Sequence, residues 1–226
     1  MGKKFIRYIS YIFDCIMELI YPSPQQCILC SNSLKSHEFL CEDCLKNITR
    51  CSAPMVIKRE KEIKCFSFAY YSRTIMELVL KFKYKSNFIC CEALSSFMGD
   101  AYEKNSINCD LITYVPLTKL SYRKRGFNQS EILAKQIGRR LNIPVKSMLV
   151  KSKESKDQIG LTGEERWENI KDSFQIKIDN NIIKGKKILI IDDVVTTGAT
   201  SYYCGEMLLK NGAKEIIILT AAKSKI

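Results

Sequence analysis

The segment Lys187-Ile188-Leu189-Ile190-Ile191 is apolar at four consecutive positions and runs directly into Asp192-Asp193-Val194-Val195-Thr196-Thr197-Gly198-Ala199-Thr200. A strand that is apolar at every position needs cover on both faces, which confines it to a parallel sheet between layers of helix. Two carboxylates at the carboxyl end of such a strand stand where open α/β sheets bind their ligands. The Thr- and Gly-rich turn that follows leads into a helix N-terminus, whose N–H groups and hydroxyls suit a phosphate. Gly198 lets the backbone approach the anion closely. The segment therefore reads as an anion cradle beside two acids suited to sugar hydroxyls or to magnesium.

The flanking sequence alternates strand and helix, as an open, mostly parallel α/β sheet requires. Leu111–Val115 is a short apolar strand that ends at Pro116. Asn128-Gln129-Ser130-Glu131 has capping-box spacing and opens a helix with Leu133, Ile137 and Leu141 on one face. A second box, Thr162-Gly163-Glu164-Glu165, opens a short helix, and Glu215–Ala221 is the last strand. A helix ending near Leu209 is capped by Asn211-Gly212. Upstream, Phe66–Tyr71 predicts a strand and the stretches 74–84 and 91–102 predict helices. Three regions are expected: an amphipathic helix over 1–24, a cysteine module over 25–55 and the α/β domain over 56–226. In the first, Ile9, Phe13, Ile16 and Ile20 share a stripe, while Asp14 and Glu18 break the apolar core that a signal peptide needs. No apolar run reaches the length of a membrane span, so a cytoplasmic protein is expected.

Cys27-x-x-Cys30 and Cys41-x-x-Cys44 lie ten residues apart and carry four of the eleven cysteines. Each pair supplies two soft ligands, and four thiolates complete a tetrahedral site. A structural zinc is expected there, over free thiols or an iron–sulfur cluster, with no open coordination position. His37 lies between the pairs at a spacing that fits neither, and reads as a surface residue.

The formal net charge is +12, and from Lys119 to Lys156 eleven basic residues face two acidic ones, Glu131 and Glu154. Such a concentration calls for a polyanion, either the phosphates of a small ligand or nucleic acid. Lys135, Arg139 and Arg140 read as solvated helix surface, whereas Tyr122 and Phe127 beside the arginines suit stacking on unpaired bases.

The Asp192–Thr200 segment resembles the signature of type I phosphoribosyltransferases, which bind 5-phosphoribosyl-1-pyrophosphate. The resemblance implies Asp192 and Asp193 on the ribose hydroxyls, Val195 beside them, and Thr196, Thr197, Gly198, Ala199 and Thr200 as the phosphate loop. Pro116 and Leu117, within Tyr114–Thr118, lie where that family places its pyrophosphate loop. Arg123-Lys124-Arg125-Gly126-Phe127-Asn128-Gln129-Ser130, Asp157-Gln158 and Arg166 through Asn169 are similar to the ComF family of competence proteins, a likeness running from about Pro22 to Ala222. It implies that Arg123 and Arg125 neutralise pyrophosphate, that a hood including Gln158 and Arg166 closes over the ligand, and that magnesium arrives with phosphoribosyl pyrophosphate. It also implies handling of imported single-stranded DNA, with a competence helicase as partner. ComF-like proteins often carry a third cysteine pair; here Cys51-Ser52-Ala53-Pro54 keeps only its first member, leaving Cys51 as a substitute ligand. A nucleotide-salvage transferase and a non-catalytic adaptor for phosphoribosyl pyrophosphate or DNA would share these motifs. The acceptor of any phosphoribosyl transfer is not identified by them.

Overall fold

In chain order the elements are α1 (Glu42–Lys46), β1 (Met55–Lys58), β2 (Glu62–Tyr70), α2 (Arg73–Lys85), α3 (Phe88–Lys104), β3 (Leu111–Tyr114), α4 (Lys119–Arg125) and α5 (Gln129–Leu141). They continue with β4 (Leu149–Lys151), α6 (Gly163–Ile170), β5 (Phe174–Ile176), α7 (Asn180–Ile183), β6 (Lys187–Val195), α8 (Ala199–Lys210) and β7 (Glu215–Lys223). The computed structural model describes residues 25–34, 39–152 and 163–224. The helix expected over 1–24, His37, Gln158 and the second capping residue Thr162 lie outside the described residues.

Two compact units divide the chain, Met1–Lys46 and Asn47–Ile226. In the first, the Cys27 N–H donates to Asn32 O and the Ser31 N–H donates back to Cys27 O, which closes the turn of the first cysteine pair. The Ile28 N–H donates to Phe39 O, and Leu40 and Cys27 are the buried hydrophobic residues of this unit among those described.

The second unit holds a five-stranded sheet in the order β1-β2-β7-β6-β3. Only the β1–β2 pairing is antiparallel; β2–β7, β7–β6 and β6–β3 are parallel. The expected α/β architecture with a mostly parallel sheet is therefore present. Ile188 and Ile190 of β6 join Ile216 and Ile218 of β7 in a cluster with Cys204 and Leu208 of α8. Leu189 and Ile191, equally buried, point to the other face by strand alternation, where α5 packs on β3 and β6 and α3 on β2 and β7. Each such side chain contributes roughly 1.5–3 kcal/mol by burial. Between β2 and β7, the Ser67 and Thr220 hydroxyls meet at 2.7 Å in the core.

Three observations beyond the sequence reading matter for the site. First, β6 does not stop at Ile191 but runs on through both acids, because β7 pairs with it as far as Val195↔Lys223. Second, the stretch from Lys119 to Arg125, to which the sequence reading assigned no element, is a helix capped by Thr118 and ended by Gly126. Third, the boundary between the two compact units falls after Lys46. Residues past it are bonded to β2, since the Tyr70 N–H donates to Thr49 O and the Cys51 N–H donates to Phe68 O, each at 2.9 Å. The short strands β1, β4 and β5 were not expected. Among the described residues, no helix is long and apolar enough to cross a membrane.

Candidate functional site

A cleft of about 500 Å³ opens at the carboxyl ends of β3 and β6. One wall is the Val115–Thr118 loop with the inner side of α4; the other is the Thr196–Thr200 turn into α8. Asn128 sets the first wall. Its side-chain oxygen accepts from the Ser130 and Glu131 N–H groups at the head of α5, while its Nδ2 donates to Val115 O at 3.0 Å. A single buried amide thus caps a helix and pins the loop that follows β3, a use of side-chain geometry typical of Asn.

The acids sit on the floor. Asp192 Oδ1 accepts from the Ser130 hydroxyl and the Asp193 N–H, both at 2.9 Å, and Asp192 Oδ2 accepts from the Ser201 hydroxyl at 3.3 Å. Asp193 Oδ1 accepts from the Val194 N–H at 2.6 Å, and its Oδ2 is paired with the Lys83 ammonium at 2.6 Å. Burial, and then repulsion from Asp193, push the Asp192 carboxyl up to about 6, against the pull of Lys83 and Ser130. Burial works against the Lys83 ammonium, but the two carboxylates outweigh it and hold its pKa above the ordinary value. Every oxygen of the pair already meets a donor proton. The Lys83 ammonium at contact distance from Asp193 Oδ2 opposes a second cation on the same carboxylate, so the pair as it stands does not fit a magnesium ion held directly on it.

The turn after β6 is shaped by Gly198, which caps α8 with φ 82° and ψ 0°. A Cβ there would lie 2.5 Å from Ile57 Cδ1 and 3.1 Å from Ile57 Cγ1, so β1 packs directly on the turn. Both the left-handed backbone and the contact exclude a side chain. Gly198→Ala is expected to lose about 1–2 kcal/mol from the backbone conformation alone. At roughly 2–4 °C per kcal/mol for a chain of this size, its melting temperature should fall by several degrees. A melting curve that superimposes on the wild type would show that the turn is not held as described.

In the first unit, the Cys27 and Cys44 sulfurs lie 3.7 Å apart and those of Cys30 and Cys41 3.5 Å apart. All four fall within 4.8 Å of one another. A tetrahedron with metal–sulfur bonds near 2.3 Å has edges of about 3.8 Å, so the set fits a metal of that kind. Burial raises the Cys27 thiol, but backbone hydrogen bonds from Cys30, Cys41 and Leu29 outweigh it and bring it down to about 6. Burial and the neighbouring thiols push Cys44 up instead. Cys51 belongs to the second unit and is not a member of the group.

Of the residues singled out in the sequence, Pro116, Leu117, Arg125, Asp192, Asp193, Val195 and the Thr196–Thr200 turn all line the cleft. Arg123 does not: it is exposed on α4, and Lys124 lines the wall in its place. Gln158 and the side chain of Arg166 lie outside the described residues. Phe127 is half-buried, and its ring packs against Phe82 at 5.5 Å and Phe88 at 5.6 Å. Sequence reasoning missed Lys83, Tyr71 and Tyr84 from the start of the domain, and Lys151 of β4, whose ammonium burial pushes below its ordinary range. Ser130 and Ser201 were in view as neighbours of the motifs, but nothing marked them as partners of Asp192.

Residues 127–225 match the family described as Phosphoribosyl transferase domain. The chain is 26% identical over 204 residues to Competence protein F of Haemophilus influenzae, covering 88% of this chain and 84% of that protein. It is 27% identical over 199 residues to DNA utilization protein YhgH of Escherichia coli strain K12, covering 84% and 86%. To Competence protein ComFC of Bacillus subtilis strain 168 it is 25% identical over 201 residues, covering 88% and 78%.

Proposed function

We infer, for a chain that is a homologue of Competence protein F, YhgH and ComFC along most of its length and carries a phosphoribosyl transferase domain, that it binds phosphoribosyl pyrophosphate and acts in the handling of single-stranded DNA. The observation that carries the reading is the convergence on one cleft of three parts distant in sequence: the Val115–Thr118 loop, the acid pair and the Thr196–Thr200 turn. The turn and the N-terminus of α8 take the 5-phosphate. The acids accept hydrogen bonds from the ribose hydroxyls, and Lys124 and Arg125 neutralise the pyrophosphate. Magnesium, bound with the pyrophosphate, would offset its charge. Cys27, Cys30, Cys41 and Cys44 hold a structural zinc, which orders their unit. Calorimetric titration with phosphoribosyl pyrophosphate and magnesium tests the reading, and absence of binding would refute it. Nucleotide formed from free nucleobases would favour the salvage-transferase alternative.

The DNA part of the reading is supported by where the excess charge lies. Lys135 is paired with Glu131 at 2.7 Å, and Arg140 with Asp100 at 2.9 Å and Glu103 at 3.0 Å. On α4, Lys119, Arg123 and Lys124 are exposed and have no acidic partner among the described residues. Beside them Tyr122 is 50% exposed and Tyr84, under the Arg125 guanidinium, is 67% exposed. Aromatic faces interleaved with unpaired cations suit a single strand bound without sequence preference. Replacing Arg123, Lys124 and Arg125 by alanine should weaken oligonucleotide binding. It should also flatten the plot of log K against log salt by about 2, at roughly 0.7 per phosphate contact. Fluorescence anisotropy across a salt series measures both, and an unchanged slope would place the DNA elsewhere.

A further inference from the structure

We propose that Lys83 is the resident cation of the acid pair, and that it keeps divalent metal off Asp192 and Asp193 so that metal enters the cleft only on the pyrophosphate. The proposal rests on reading the cleft as a phosphoribosyl pyrophosphate site, but it concerns the ligand-free protein.

Lys83 is delivered by packing. The buried face of α2 carries Ile75, Leu78, Val79 and Phe82. The Phe82 ring is held by Phe88 at 6.3 Å and Phe127 at 5.5 Å, which fixes the turn of helix next to the cleft. From there the Lys83 ammonium reaches Asp193 Oδ2 at 2.6 Å, with the two side chains 20% and 10% exposed. The three remaining carboxylate oxygens meet hydroxyl or backbone N–H donors.

This arrangement separates two kinds of visitor. A sugar hydroxyl is a neutral donor, and a carboxylate oxygen with one donor can accept a second. A divalent ion is a second cation that wants several oxygens in near-octahedral order, and here it would meet an ammonium already at contact distance from Asp193 Oδ2. A fixed cation of this kind therefore lets the acids recognise a diol without taking up a metal of their own. Lys83 reaches the acids from α2, which lies outside the 127–225 segment that matches the phosphoribosyl transferase domain.

Manganese is the probe, followed by electron paramagnetic resonance on the full, zinc-loaded chain without phosphoribosyl pyrophosphate. Wild type should retain no manganese that Asp193→Asn removes, and Lys83→Arg should behave as wild type. Lys83→Met should bind one manganese at least tenfold more tightly than wild type, and lose it again when combined with Asp193→Asn. A wild-type manganese site abolished by Asp193→Asn would overturn the proposal without recourse to any Lys83 variant. So would a folded Lys83→Met protein that gains no site. A cleft that refuses phosphoribosyl pyrophosphate in calorimetry is a separate result, because none of these measurements uses that ligand.

Discussion

Cys41→Ser protein should lose its stoichiometric zinc and, with it, the fold of the first unit. Among the described residues of that unit only Cys27 and Leu40 are buried hydrophobics, too few to offset the entropy of ordering the chain around them. Structural zinc in small modules contributes apparent free energies of about 10–16 kcal/mol at neutral pH, so most of the stability of such a unit is metal binding. Losing one thiolate of four should lower zinc affinity by at least a hundredfold. The backbone reports the same event. The amides of Cys27 and Ser31, which close the first cysteine turn, should lose protection from hydrogen exchange. Chelation of the wild type should reproduce both changes. Full zinc occupancy in Cys41→Ser, or protected amides after chelation, would mean that the thiols stand together for another reason.

The second large effect is expected at the acids. Replacing Asp192 and Asp193 together should reduce affinity for phosphoribosyl pyrophosphate by a hundredfold or more. Each removed carboxylate forfeits a charge-assisted hydrogen bond of roughly 1.5–3 kcal/mol, which is at least tenfold. Asparagine is the better replacement, because alanine at 193 would leave the half-buried Lys83 without its partner and alanine at 192 would strand the Ser130 and Ser201 hydroxyls. Oligonucleotide binding should be unchanged in the same protein, since the exposed cations of α4 are retained. Equal calorimetric binding by wild type and double variant would remove the acids from the ligand.

The parts of the fold that were legible in the sequence are those with long, uninterrupted apolar patterns. The core strands β6 and β7 and the amphipathic α5 announce themselves in this way, and the Thr196–Thr200 turn is one contiguous segment. β1, β4 and β5 were not legible, being three or four residues long and partly exposed, with no period to read. α4 escaped notice because it carries no buried residue, so its helix is specified by the Thr118 cap and Gly126 rather than by an apolar stripe. Lys83 was invisible for a different reason. The period of α2 identifies the face that is buried, but the meaning of Lys83 comes from an acid 110 positions later in the chain. Phe127 shows a related gap, since the sequence sets it beside arginines but gives no sign of its packing against Phe82 and Phe88.

The strand order also governs how the chain can acquire its sheet during synthesis. β2 is made early, yet its parallel neighbour β7 emerges far later; the Ser67–Thr220 contact between them spans 153 residues. At ribosomal speeds of about 5–20 residues per second, the open edge of β2 waits about 8–30 s for its partner across that 153-residue span. Its other edge is covered sooner, because β1 turns back on it within a local hairpin from Lys58↔Glu62 onward. The antiparallel strand that packs on the Gly198 turn in the finished protein thus also shields one nascent edge from pairing with the wrong chain. Non-local pairing of this kind makes slow folding the expected behaviour, with closure of the sheet as the late step.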